Sequence, residues 1–166
     1  NVAIFSRLET IEQKQIGYDK KLQQLFNALD DKSIKPKQGI FYDGQIFDAY
    51  VFVSKLIRTA KKSIILIDNF IDENVLVLLA KKRKGVRVII YTKNLSKVLK
   101  LDLNKYNKQY GNIDIKVFDK AYDRFLILDN SVVYHFGASL KDLGKKWFAF
   151  SKFDKQALKI LNKLNK

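Results

Sequence analysis

The chain has 166 residues, 47% hydrophobic and 30% charged, enough to bury a core and too apolar for wholesale disorder. Thirty-two Lys and Arg against 17 Asp and Glu leave a net charge of +15, which points to a polyanionic partner unless the lysines merely solvate the surface. Cysteine is absent and His135 is the single histidine, which excludes disulfides and thiol catalysis and argues against a Cys- or His-built metal centre.

No apolar run approaches the roughly 20 residues of a membrane span, and no secretory pattern opens the chain, so a cytoplasmic setting is expected. Methionine is missing altogether, position 1 included, as expected of a piece of something longer or a processed product. Residues 1 to 35 carry six basic and five acidic side chains, so nearly all the excess charge lies beyond them. That contrast suggests two parts with different jobs.

In the first part Ile4, Leu8, Ile11, Gln15, Tyr18, Leu22, Leu25 and Leu29 recur at alternating spacings of four and three. This is a heptad seam and predicts a coiled-coil oligomerisation helix over residues 1–30; an amphipathic helix lying on its own domain is the alternative. Gln15 on the seam suits register control, and Gly17 weakens the helix by about 1 kcal/mol. Residues 31–38, with the chain's one proline at Pro36, read as a linker.

From Gly39 to the end, helix and strand periods alternate. Ile46 to Ala60 has the 3–4 spacing of an amphipathic helix. Ser63 to Ile67 is a continuous apolar run suited to a strand buried on both faces. Glu73 to Lys82 predicts a helix with a cationic last turn closed by Gly85. A strand over Val86–Tyr91, a polar helix over Leu95–Tyr110 and a strand over Ile113–Phe118 follow. Arg124–Leu128 and Val132–Phe136 flank Asp129-Asn130-Ser131 as a hairpin. Trp147–Phe153 predicts a last strand and Lys155–Leu164 a closing helix. The order predicts an α/β sandwich around a mixed sheet, with residues 39–166 as its domain.

The segment Ala121-Tyr122-Asp123-Arg124-Phe125-Leu126-Ile127-Leu128-Asp129, followed by Gly137-Ala138-Ser139-Leu140-Lys141-Asp142, resembles the phospholipase D superfamily. That family's half-site reads His-x-Lys-x4-Asp and then a small Gly/Ser turn. The likeness covers about residues 39–154. The runs at 39–72 and 137–154 resemble the C-terminal region of phage-type proteins that carry a KilA-N-like DNA-binding domain.

The resemblance implies a phospholipase D-like mixed sheet and a metal-independent, cofactor-free phosphodiester site. Its residues would be Tyr122, Arg124, Asp129, Ser139 and Asp142. Positions 122 and 124 would face one pocket, Arg124 holding phosphoryl oxygens and Ser139 adding a hydroxyl donor. Asp129 and Asp142 would orient neighbours or offset charge. One half-site per chain implies completion across a two-fold axis, in keeping with the heptad seam.

Tyr122 stands where the family has its nucleophilic histidine, and a phenol with an ordinary pKa near 10 cannot shuttle protons at neutral pH. A degenerate site that binds without cutting, a nuclease silenced by the substitution, and a tyrosine nucleophile activated by Arg124 all fit this departure. The expected function is therefore a DNA-associated domain that grips phosphodiester backbones as a homodimer. The alternatives are an active metal-independent nuclease and a protein-interaction module; no interfacial membrane anchor appears. Other features are weaker. Asp68 and Asn69 close the Ser63 strand, where α/β sheets place ligand contacts. The basic run Lys81 to Arg87 suits either a backbone contact or a helix cap. Trp147 and Phe148 suit base stacking or a core, and His135 a structural role.

Overall fold

The computed structural model describes residues 2–31, 37–153 and 156–165, with side chains for 3–18, 20–21 and the two later stretches. The chain divides after residue 36 into two compact units. The first holds one helix, α1 (Val2–Asp31). The seam residues Ile4, Leu8, Ile11, Gln15 and Tyr18 are exposed on it. The seam side chains at 22, 25 and 29 and most of the expected linker lie outside the described residues.

The second unit runs β1 (Gln38–Phe41), α2 (Ile46–Thr59), β2 (Ser63–Ile67), α3 (Glu73–Leu79), β3 (Arg87–Thr92), α4 (Lys97–Gln109), β4 (Ile113–Val117), β5 (Arg124–Leu128), β6 (Val132–Phe136), a 3-10 turn (Leu140–Asp142), β7 (Phe148–Phe153) and α5 (Ala157–Leu164). The strands form one seven-stranded sheet in the order β1-β7-β6-β5-β2-β3-β4. The strands β2, β3 and β4 are parallel, as crossover helices α3 and α4 require. From β5 outward the pairing is antiparallel.

Alternation along the central strands sorts the core into two layers. Ile64, Leu66, Val88, Ile90, Leu126 and Leu128 pack with α2, α3 and α4 on one face. Ile65, Ile67, Tyr91 and Ile127 pack with α5 on the other. A strand covered on both faces has no polar side to show, which is why Ser63–Ile67 reads as an unbroken apolar run.

Two elements differ from expectation. The glycine-capped helix expected to reach Lys82 stops at Leu79. Lys81 and Lys82 then continue as single turns, their N–H groups donating to Leu78 and Leu79 carbonyls. Gly85, at φ +85°, belongs to the tight turn into β3, where the Val86 N–H donates to Arg83 O. The second is β1, an edge strand at the boundary of the expected linker. Its pairing comes from β7 alone, with Gly39 opposite Phe150. A Cβ on Gly39 would meet the Phe150 ring at 2.6 Å, so glycine is what lets the two strands close.

Candidate functional site

The parallel strand β2 ends at Ile67, opposite Phe125 near the start of β5. Around this end of the sheet lies a cleft of about 440 Å³ lined by Arg124, Gly137, Ala138, Ser139, Asp142, Lys145, Lys146 and Trp147. Strand β5 supplies Arg124 as its first residue, and the turn after β6 supplies residues 137–139. The segment before β7 supplies the two lysines and the tryptophan. A cleft outside the carboxyl end of parallel strands is where α/β sheets collect ligand contacts.

Arg124 shares strand parity with Leu126 and Leu128, so it lies on the face covered by α2 and α3. Its Nε is buried without a hydrogen-bond partner among the described residues, and its guanidinium sits 5.8 Å from the Phe70 ring centroid. A partly buried cation flanked by an aromatic face, with no carboxylate hydrogen-bonded to it, is poised for an anion. Lys145 donates to Asp142 at 3.1 Å, and Lys141 lies 3.9 Å from the same carboxylate. Asp142 thus offsets part of the positive rim. Trp147 is 68% exposed, edge-on to Tyr42 and held by Nε1–H donating to Asp43 at 2.6 Å.

Beneath the cleft, Asp68 is fully buried. It accepts the N–H of Phe70 at 3.0 Å and of Leu140 at 2.8 Å. Ser139 Oγ lies 2.9 Å from both its oxygens and 2.7 Å from Phe70 O. Burial pushes the Asp68 carboxyl above its ordinary value of 3.8, against the lowering pull of those donors and of Arg124. Asp68 and Ser139 therefore pin the Gly137–Ser139 turn onto the end of β2 and fix one wall of the cleft.

The expected site residues separate in space. Arg124, Ser139 and Asp142 come together on the cleft. Ser139 is buried and its hydroxyl is engaged with Asp68 and Phe70 O, so the expected donor to a ligand points inward instead. Tyr122 does not share the pocket. It is 97% exposed in a bend that precedes β5, so strand alternation does not reach it, and it is absent from the cleft lining.

Asp129 is not at the cleft either. It follows the far end of β5, about 16 Å along the strand from Arg124. There it accepts the backbone N–H groups of Lys61, Lys62 and Ser63 at 2.7–3.1 Å. Partial burial raises its pKa, but the Lys62, Lys61 and Ser63 N–H groups outweigh this and hold the carboxyl below 3.8. His135 is turned to the opposite face of the sheet from Arg124. It lies 3.1 Å from Asp123 and packs beside Phe125 and Phe153, in a structural setting.

Asp68 was visible in the sequence only as a carboxylate closing an apolar strand. Lys145 and Lys146 had no motif to mark them, because a loop 21 residues beyond Arg124 reaches it only through the β5–β6–β7 ladder.

No protein-family model matches the sequence, and no curated protein matches it. Solved structures do. The chain is similar to NucT from Helicobacter pylori at 16% identity and a TM-score of 0.57, over 78% of this chain and 93% of that one. It is similar to TrmBL2, an archaeal chromatin protein whose structure shows a novel mode of DNA binding. That likeness has 20% identity and a TM-score of 0.51, over 98% of this chain and 64% of that one. A third likeness, at 15% identity and a TM-score of 0.51, is to polyphosphate kinase from Porphyromonas gingivalis, over 87% of this chain and 24% of that one. With the seven-stranded mixed sheet and its flanking helices, these likenesses establish that the chain has a phospholipase D-like fold.

Proposed function

We propose that this is a DNA-associated domain that grips the phosphodiester backbone as a homodimer joined through α1, with a catalytic site that has lost its nucleophile. The observation that carries the reading is Arg124, which makes no hydrogen bond or salt bridge to a described residue and faces a cleft rimmed by Lys145, Lys146 and Trp147. A guanidinium can hold two phosphoryl oxygens at once, the lysines add point charges, and an exposed indole offers a stacking face. The chromatin protein of similar fold, with its DNA-binding mode, supports a nucleic-acid ligand. So does the resemblance of residues 39–72 and 137–154 to the C-terminal region of KilA-N-like DNA-binding proteins. The exposed Ile4, Leu8 and Ile11 of α1 support pairing.

Loss of catalysis follows from Tyr122, which has neither an imidazole's proton chemistry nor a place on the cleft wall. Gel-shift titration of duplex DNA against salt tests the binding. Affinity falls steeply with ionic strength, and Arg124→Ala weakens it by roughly tenfold, the loss of one charged hydrogen-bonded contact. Affinity indifferent to salt would defeat the reading. Long incubation with DNA in EDTA yields no cleavage, in the parent or after Tyr122→His. EDTA-resistant cleavage that Arg124→Ala abolishes would instead establish an active nuclease.

A further inference from the structure

The end of the sheet opposite the Arg124 cleft carries a second concentration of positive charge. Arg58 lies in the last turn of α2, Lys61 and Lys62 form the turn into β2, Lys81, Lys82, Arg83 and Lys84 follow α3, and Arg87 opens β3. The fold draws these four segments to one edge. Ser63 pairs with Arg87 across the parallel ladder, the Arg87 N–H donates to Lys62 O, and Arg83 Nε donates to Arg58 O at 2.7 Å. Arg58, Lys61, Lys62, Arg83, Lys84 and Arg87 are exposed, while Lys81 and Lys82 are half-buried.

None of the eight forms an ion pair with a described residue. Asp129, beside Lys61 and Lys62, directs its carboxylate at backbone N–H groups, and with the Lys62 charge these hold it below its ordinary pKa, so it offsets only part of this edge. Asp114, on β4 opposite Ile89, is the other acid near this end in the register. Capping of α2 and α3 accounts for Arg83 and at most one or two lysines. It does not account for a cationic edge spread across a helix end, two loops and the first residue of β3.

We propose that this edge is a second docking surface for the phosphate backbone of a nucleic-acid duplex, separate from the Arg124 cleft. Adjacent strands stand about 4.8 Å apart, so the loop entering β2, the loop entering β3 and Arg87 on β3 bring their cations side by side, to meet a row of phosphates along a duplex rather than one phosphate in a pocket. A membrane surface is disfavoured because none of the exposed large apolar side chains falls in residues 58–62 or 81–87, and surface-bound proteins interleave apolar with basic residues. The proposal shares a ligand class with the proposed function but rests on different residues.

The test is a duplex-binding titration across salt concentrations, comparing the full chain with a Lys61→Gln, Lys62→Gln, Lys84→Gln, Arg87→Gln variant and with Arg124→Ala. The four positions are exposed and make no side-chain hydrogen bond among the described residues, and Arg83 is kept for its bond to Arg58 O. The variant's salt slope falls by up to about 3.6 relative to the parent, since each of the four neutralised phosphate contacts removes about 0.9. Arg124→Ala in the same background lowers affinity further. An unchanged slope in the quadruple variant with weaker binding in Arg124→Ala overturns the second surface and leaves the cleft. Binding unmoved by either overturns both. If polyglutamate or phosphatidylserine vesicles bind the parent as tightly as duplex and lose binding in the quadruple variant, the assignment to nucleic acid is overturned. An unchanged far-ultraviolet circular dichroism spectrum checks that the variant folds.

Discussion

Asp68 places an acid where burial disfavours charge, and its neighbours decide how far that matters. Burial lifts its pKa above 3.8, so the folded state prefers the protonated carboxyl. The stabilisation from this preference is complete below 3.8 and is lost as pH rises through the folded value. Asp68→Asn cannot titrate and gives up an acceptor for the Leu140 N–H, so it starts less stable. Its deficit narrows as pH rises above 3.8, which denaturant melts at a series of pH values would follow; a deficit that widens would contradict the assignment. Tyr106 makes a simpler case. Burial, and then neighbouring Tyr110, push its phenol up to about 12, and its hydroxyl is buried without a partner among the described residues. Tyr106→Phe removes an unsatisfied group, so urea unfolding shows no loss and a gain of up to about 1 kcal/mol.

Between elements, the most informative joint is Asp129. It stands in the β5–β6 turn, where both it and Asn130 adopt positive φ, and reaches across to the turn that opens β2. One carboxylate thereby fixes two neighbouring strands at the edge where the basic residues gather. Its lowered pKa has the opposite consequence to that of Asp68: the stabilisation is present above 3.8 and is lost as pH falls through the folded value. Asp129→Asn destabilises the domain by about 2 kcal/mol, roughly 5 °C in Tm, and the penalty closes in acid; calorimetry at two pH values checks both. Gly144 joins the other end. At φ +77° its carbonyl accepts the Gly44 N–H, and an added Cβ would stand 2.5 Å from Gln45 O. Gly144→Ala combines a strained backbone with an overlap against main chain, so it costs more than about 2 kcal/mol and loosens the loop carrying Lys145–Trp147. Thermal melts and duplex affinity both register it.

At the scale of the whole molecule, the chain pairs a helix of exposed apolar seam residues with a strongly basic α/β unit. With the proposed pairing through α1, replacing Leu8 and Ile11 together with serine lowers the molecular mass in sedimentation equilibrium to that of one chain and leaves the melting of the α/β unit in place. An unchanged mass would remove α1 as the pairing element. On the same proposal, paired chains bind duplex with greater avidity than single ones, so the substitution also weakens duplex binding.

Much of this protein was legible without coordinates, because the relevant forces act over short stretches of chain. The apolar run Ser63–Ile67, the hairpin around Asp129–Ser131 and the amphipathic spacing of Ile46–Thr59 each report burial or turn geometry through neighbouring residues. Net charge pointed to a polyanionic partner, and the spacing of Arg124 and Ser139 marked one side of the candidate cleft. The rest depended on contacts between distant segments. Residue 122 could be placed in a pocket only by assuming that β5 had already begun, and the strand begins at Arg124. Asp129 could be grouped with the site only because the sequence does not say which end of β5 faces the cleft. The β5–β6–β7 ladder brought Lys145 to Trp147 beside Arg124, and the β2–β3 ladder gathered Lys61, Lys62, Lys84 and Arg87 on one edge. Local pattern determined which elements form and what charge they carry; strand pairing across the sheet decided which of those charges stand together.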